Sequence, residues 1–264
     1  MRRVACSLIS VIAALPACAK AELLMYTARQ SSEKSLALTS FYQETVDQKF
    51  LFRVSGPGIA QGKGGLVYAS DGETDVKGEQ RRGTFFVKLT GQPFENLQYY
   101  GAAGIGSSSV KIPSATVTNA FYGDNPGMTW QAGVRACIFP ETELTPALSA
   151  DLGFGWSRFH FNRMAQNSAG SSGVNVRFDT LEYHLAFQAG RRFGKWESYA
   201  GVNMVRRQAV LKDLDAGERA GGINDYVAIF AGTKLPLFSR ESLVAEMSFV
   251  DGFRFGLGLE IKLR

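Results

Sequence analysis

The chain has 264 residues, of which 45% are hydrophobic and 20% are charged, and its formal net charge is +5. These are the values of a folded protein, so they exclude a disordered or collagen-like chain. The length allows either one large domain or two small ones.

The first residues have the pattern of a secretory signal peptide. Arg2 and Arg3 precede an apolar run over 4–15, and Ala-Lys-Ala at 19–21 places small residues at the −3 and −1 positions of a cleavage site. We therefore predict cleavage before Glu22. A membrane anchor is the alternative, but the apolar run is shorter than the roughly 20 residues that a spanning helix needs.

Removal of this signal peptide changes the charge and the cysteine count. Residues 1–21 contain three of the 29 basic residues and no acidic one, so the mature balance is 26 − 24 = +2. A nucleic-acid partner is therefore not expected. Cys6 and Cys18 are also removed, which leaves Cys137 without an internal disulfide partner. If cleavage instead occurred before Cys18, as in lipoproteins, that residue would be lipidated.

The mature chain alternates apolar residues with polar or small ones, which is typical of β-strands with two different faces. In the last strand, apolar residues from Phe253 to Leu263 alternate with Arg, Gly, Glu and Lys. We predict an N-terminal periplasmic segment over 22–34 and a β-domain over 35–264. Its ten predicted strands lie near 35–47, 82–90, 97–108, 127–138, 145–161, 176–190, 196–210, 224–237, 242–250 and 253–263.

The connections between these strands alternate in length. Long ones at 48–81, 109–126, 162–175 and 211–223 are separated by short ones, so the long loops meet at one end of the domain. An even strand number and this asymmetry are typical of outer-membrane barrels. The predicted fold is therefore an all-β, antiparallel, up-and-down transmembrane β-barrel of about ten strands.

Two alternatives concern the strand number and the environment. A further hairpin from Phe50–Val54 and Leu66–Ala69 would give twelve strands. A soluble β-sandwich would also alternate, but its polar face would be rich in long charged side chains. Here that face is mostly Gly, Ala and Ser, which favours a narrow lumen. The three tryptophans on the apolar face are predicted to form interfacial aromatic girdles. They are Trp130, Trp156 and Trp196.

Three stretches carry a resemblance to a known family. They run from Pro93 to Gly101, from Arg192 to Gly201, and along the last strand. In these the chain resembles the small bacterial outer-membrane β-barrel proteins of the OmpA-like or porin-like kind. The resemblance implies a monomer in the Gram-negative outer membrane, with lipids and lipopolysaccharide as neighbours. It also implies recognition of the last strand by the barrel-assembly machinery, although this chain ends in Leu263-Arg264 and not in an aromatic residue.

The alternation also assigns charged residues to the lumen. The predicted network contains Lys88, Arg135, Asp151, Glu182, His184, Glu197, Lys234, Glu246, Arg254 and Glu260. With Lys262 added, five cations face five anions, and buried charges of opposite sign are expected to pair. This predicts a filled lumen, because a selective pore would carry an excess of one sign.

His184, with Glu182 and Asp151 nearby, has the groups of a general base. Outer-membrane proteases of the omptin type and lipid A deacylases also use histidine, which keeps a rim-located hydrolase as an alternative function. However, His184 falls in the middle of a strand, and no matching Asp pair or His-x-Ser sequence lies near it. We therefore predict no catalytic residue, no cofactor and no metal site. Cys137 is predicted to be an inert, inward-facing thiol.

Basic residues near the outer strand ends have two interpretations, a contact with lipopolysaccharide phosphates and a plain solvated rim. They are Arg206, Arg207 and Lys212. The pair Arg81-Arg82 lies among acidic residues and is interpreted as part of a solvated loop. The predicted function is a non-enzymatic structural or surface-interaction role in the outer membrane. A narrow channel for small solutes is a further alternative.

Overall fold

A computed structural model describes residues 35–53, 75–113, 118–166, 171–217, 219–249 and 252–263. The predicted signal peptide, Cys18 and the segment 22–34 lie outside these residues. The described part of the chain consists of antiparallel β-strands and short turns. The strands are β1 (Ser35–Arg53), β2 (Asp75–Phe94), β3 (Leu97–Pro113), β4 (Thr118–Tyr122), β5 (Gly127–Phe139), β6 (Ala147–Gln166), β7 (Ser171–Phe193), β8 (Trp196–Asp213), β9 (Arg219–Pro236), β10 (Glu241–Phe249) and β11 (Phe253–Lys262). No helix in the described ranges is long and apolar enough to cross a membrane.

Ten of these strands close into a ring. In order around the ring they are β1, β2, β3, β5, β6, β7, β8, β9, β10 and β11, and β11 pairs again with β1 from Ala37–Lys262 to Val46–Phe253. Two-residue turns join β2 to β3 and β7 to β8 at the end where both described termini lie. We call this end the turn end and the opposite one the loop end. The all-β, antiparallel, up-and-down barrel of the sequence prediction is confirmed.

At the loop end the ring narrows to eight strands. β3 pairs with β5 only as far as Gly106–Gly127, and beyond that point β4 takes the place of β5 between β3 and β6. β10 and β11 end lower, so β1 pairs directly with β9 from Leu51–Ile223 to Arg53–Gly221. The upper ring is therefore β1, β2, β3, β4, β6, β7, β8 and β9. We call it the extension, and the ten-stranded part the body.

A β-bulge lets β1 change its partner. Its register against β2 shifts between Thr45 and Gln48, and Asp47 has a positive φ of 54°. The carbonyl oxygen of Val46 lies against Gly252, which has a φ of 106° in the β10–β11 hairpin and leaves no room there for a Cβ atom. The bulge bends β1 over the top of this hairpin and towards β9.

The strands are longer than predicted, and the predicted loops are correspondingly wrong. Much of 48–81, 109–126, 162–175 and 211–223 is strand of the extension. Phe50–Arg53 belongs to β1 and not to a separate hairpin, and Leu66–Ala69 lies outside the described residues. The prediction ended the strands early because the apolar residues change to the other face where the extension begins.

Large apolar side chains face outward around the body and form a band. On four neighbouring strands they are Leu152, Phe154, Leu185, Phe187, Val202, Met204, Val227 and Ile229. Leu152 is directly opposite Leu185, and Leu185 is opposite Met204. The exposed pair Arg206 and Asp225 lies opposite Tyr183 at the loop-end side of this surface. An exposed apolar surface of this kind is the lipid-facing band of a membrane barrel.

Candidate functional site

The centre of the body holds a buried ion pair with two further polar partners. Arg135 of β5 is directly opposite Asp151 of β6, and its Nη2 donates to Asp151 Oδ2 at 2.7 Å, with side-chain exposures of 1% and 2%. The hydroxyl of Tyr100 donates to Asp151 Oδ1 at 2.9 Å. His184 Nε2 lies 2.9 Å from the same oxygen. The Lys88 ammonium is 5.3 Å from the centre of the Tyr100 ring.

Glycines on the inner wall provide the space for this cluster. His184 of β7 is directly opposite Gly153 of β6. A Cβ atom at Gly153 would lie 2.5 Å from both His184 Cε1 and the Tyr100 hydroxyl. A Cβ atom at Gly133 would meet the Tyr100 ring in the same way. Glycine at these positions leaves room for the rings of Tyr100 and His184, which lie directly over the inner wall.

Two further polar contacts connect the inner faces of β8 to β11. Lys234 Nζ donates to Glu260 Oε1 at 2.5 Å, and Glu197 is directly opposite Lys234. The hydroxyl of Tyr199 donates to Glu246 Oε2 at 2.8 Å. These contacts bind β8, β9, β10 and β11 together across the interior.

Three arginines form a layer above these contacts. Arg207 of β8 is opposite Glu182 of β7 and its Nε donates to Glu182 Oε2 at 2.7 Å. Arg82 Nη1 donates to Ser157 Oγ at 3.2 Å. Arg254 donates to the Tyr226 hydroxyl, and its guanidinium is 4.7 Å from the centre of that ring.

The structure places all ten residues of the predicted lumen network on the inner wall, whereas Lys262 is exposed at the turn end. It also adds two cations that the sequence reasoning missed. Arg82 and Arg207 are only 4% and 0% exposed. The described interior therefore holds six basic side chains and five carboxylates instead of five of each.

The interpretations of these two arginines were wrong for a common reason. β2 and β8 continue through the positions that were taken for a loop or a rim, and the alternation turns both side chains inward. Arg207 therefore cannot contact lipopolysaccharide. The signal was present in the sequence, because Arg82 has the parity of Thr84 and Lys88.

Other predicted residues lie on the outer surface. Arg206 faces outward, 3.7 Å from Asp225, and Lys212 faces outward on the extension. Trp130 and Trp156 are directly opposite each other at the loop-end edge of the apolar band. Trp196 is exposed at the turn-end edge. Cys137 is half-buried on the inner wall.

The interior of the extension is apolar and forms a plug. The ring of Phe178 contacts those of Phe50 and Phe161, with centroid distances of 6.0 and 5.9 Å. Eight strands leave an interior just wide enough for side chains to fill. The buried residues of the plug are Phe50, Phe52, Val76, Val110, Ile112, Phe121, Phe159, Phe161, Met164, Val176, Phe178, Ala209, Leu211 and Ala220.

The arrangement offers little for metal binding. Within the described ranges, no three His, Cys, Asp or Glu side chains are placed to hold a metal ion.

Comparison with known proteins places the fold. No protein-family model matches the sequence, and no curated protein matches it. The outer membrane protease OmpT of Escherichia coli has a similar structure, with a TM-score of 0.55 and 9% identity over 90% of this chain and 100% of that chain. The translocator domain of the autotransporter NalP from Neisseria meningitidis gives a TM-score of 0.45 and 11% identity, covering 88% of this chain and 89% of that one. The protein has the fold of a small outer-membrane β-barrel.

Proposed function

We propose that the protein is a non-enzymatic, non-conducting barrel of the Gram-negative outer membrane with a structural or surface-interaction role. The observation that supports this most is the apolar plug. It fills the interior of the extension, and the charged network fills the body beneath it. The exposed apolar band supports placement in a membrane, and the polar surface of the extension supports its projection from that membrane.

Conduction would require a continuous aqueous path through both layers. An ion crossing the plug would lose its hydration among side chains such as Phe50, Phe161 and Phe178, which offer no polar replacement. In the body, the Arg135–Asp151 pair and the rings of Tyr100 and His184 occupy the interior. A narrow channel for small solutes is therefore the less favoured alternative.

Planar-bilayer recording tests this proposal. The folded protein is first identified by heat-modifiable migration in detergent gels and then inserted into the bilayer. We expect insertion without steady unit currents. Steady currents whose size changes in the variant Glu182→Gln would show an open lumen and contradict the proposal. Absence of any folded form that requires detergent would contradict the membrane barrel itself.

A rim-located hydrolase is a second candidate, favoured by the contacts of His184 with Asp151 and Tyr100. Asp151 could orient the imidazole as it does in a general base. However, Asp151 is also bound to Arg135, and the His184 side chain is only 12% exposed, below the plug. Among the described residues the plug lies between this cluster and the loop end, which supports a structural role for the cluster.

The proposed surroundings follow from the same placement. Outer-membrane lipids contact the apolar band, and the barrel is proposed to act as a monomer. The outward face of β11 remains apolar from Phe253 to Ile261, which suits recognition of this strand by the barrel-assembly machinery.

A further inference from the structure

Three cationic side chains and one histidine cross the outer surface of the extension in one row. His160 of β6 is directly opposite Arg177 of β7, Arg177 is opposite Lys212 of β8, and Lys212 is opposite Arg219 of β9. Directly opposed residues have Cβ atoms about 4.5–5.5 Å apart, so the four side chains form a continuous strip. We call these four residues the basic row.

The positive charge of this row is only partly balanced. Asp179 Oδ2 lies 3.0 Å from Arg177 Nε, but the same carboxylate also accepts from Arg158 Nε at 2.7 Å. Neither Lys212 nor Arg219 forms an ion pair with a residue that the structure describes. Like charges directly opposite each other destabilise a sheet. An anion bound along the row would relieve this repulsion.

The other side of the extension shows that the row is a local feature. There, Lys49 of β1 is opposite Glu79 of β2, and Glu79 is opposite Lys111 of β3. All three side chains are exposed, and the sign alternates from strand to strand. On β1–β3 a carboxylate thus lies between two opposed lysines, with Lys77 exposed two residues from it, whereas no carboxylate lies between the opposed residues of the basic row.

The height of the row fits a lipid headgroup. Trp156 lies at the loop-end edge of the apolar band, and the Arg158 guanidinium packs 5.0 Å from its ring centre. His160 is four residues beyond Trp156 on β6. With the usual rise and tilt of barrel strands, His160 lies about 10 Å above the ring of Trp156, and the other residues of the row lie at somewhat different heights because the row is perpendicular to tilted strands. A phosphate on a lipid whose chains cover the band would lie at this level.

We propose that the basic row binds the phosphate groups of a phosphorylated glycolipid, the lipid A part of lipopolysaccharide, in the surrounding leaflet. This rests on the proposed placement of the extension outside the outer membrane. Arginine forms charge-assisted, often bidentate hydrogen bonds with phosphate, and Arg177 and Arg219 can supply them. Of the residues predicted from the sequence, Lys212 remains in this site, Arg207 is excluded by burial, and Arg206 lies beside Asp225.

The test measures binding of lipid A to the folded protein in nanodiscs of neutral phospholipid. The row variant is Arg177→Gln/Lys212→Gln/Arg219→Gln, and the matched control is Lys49→Gln/Lys77→Gln/Lys111→Gln, which removes the same charge from the other side. Each basic residue near a membrane surface adds to the attraction for an anionic headgroup. We therefore expect the Kd to rise at least about tenfold in the row variant and to stay within about twofold in the control.

Three further measurements test whether the phosphate groups and the charges of the row cause the binding. Lys212→Gln/Arg219→Gln leaves the contacts of Asp179 intact and should still weaken binding, by a smaller factor. Lipid A without phosphates should bind the wild type as weakly as lipid A binds the row variant. Added salt should weaken wild-type binding, because the row is exposed and its charges are screened.

Several outcomes would overturn the proposal. Equal losses in the row variant and the control would show that only total charge matters. Unchanged binding in the row variant would remove the site. Tighter binding of a soluble polyanion such as heparin than of lipid A, lost in the row variant, would assign the row to a partner in solution. None of these results depends on conductance, so they are distinct from a failure of the proposed function.

Discussion

The body and the extension are built from the same strands but have opposite interiors. In the body, apolar side chains such as Leu152 face outward and charged ones such as Arg135 face inward. In the extension, Phe161 and Phe178 face inward, whereas His160 and Arg177 face outward. The boundary lies just beyond Trp156, at the edge of the exposed apolar band.

β6 shows that the strand itself does not turn over at this boundary. Even-numbered side chains from Leu148 to His160 all point outward, and the odd-numbered ones point inward. Only their chemistry changes, from apolar outside to apolar inside. The contrast between body and extension shows that the surroundings, lipid or water, determine which face of a strand is apolar. A surface that faces lipid must be apolar, whereas one that faces water need not be.

The largest expected effect comes from the plug. Phe178→Ala removes a fully buried ring that contacts Phe50 and Phe161, and such changes cost about 3–5 kcal/mol of unfolding free energy. Phe187→Ala on the same strand should cost less, because lipid can fill the space that the outward ring leaves. Guanidinium unfolding of the barrel in vesicles measures both. Equal losses would show that the two regions do not differ in this way.

Two ion pairs of equal length allow a second comparison. Arg135 and Arg158 each lie 2.7 Å from an aspartate, but Arg158 and Asp179 are 48% and 19% exposed. Arg135→Ala leaves Asp151 buried with only Tyr100 and His184, so we expect a loss of about 3 kcal/mol. Arg158→Ala should cost less than about 1 kcal/mol. A comparable loss in both variants, by the same unfolding measurement, would argue against a buried network.

The boundary between the regions can be located with an outward lysine. Leu152→Lys places a charge in the middle of the apolar band, where we expect a loss of about 2–3 kcal/mol. His160→Lys, on the outward face of the extension, should leave the unfolding free energy nearly unchanged. If both variants were equally stable in vesicles, the band around Leu152 would not face lipid.

The smallest expected effect concerns catalysis. The wild-type protein and His184→Ala should both leave peptides and lipid A unhydrolysed, because the His184 side chain is only 12% exposed and its partner Asp151 is also bound to Arg135. Product formation over hours, followed by mass spectrometry, provides the measurement. Hydrolysis by the wild type that is abolished in His184→Ala would instead show that His184 belongs to an active site inside the barrel.

Much of the body could be predicted from the sequence. Period-two alternation gave the antiparallel barrel, and the same parity put Asp151, His184 and Glu246 on one wall. The extension could not be predicted in the same way, since its apolar residues have the opposite parity. The segments around Phe50, Phe121 and Met164 were therefore interpreted as loops. The burial of Arg82 and Arg207 was not predicted for the same reason.

The sequence by itself determined which side chains share a face, because a strand alternates its side chains whatever surrounds it. It thereby determined the ten-stranded body and most of the inward charges. Only the tertiary structure decided that β4 replaces β5, that β1 passes from β11 to β9, and that the ring narrows to eight strands. These pairings join residues far apart in the chain, and no local pattern encodes them. The plug results from those pairings, whereas the basic row lies on β6–β9, which pair in chain order.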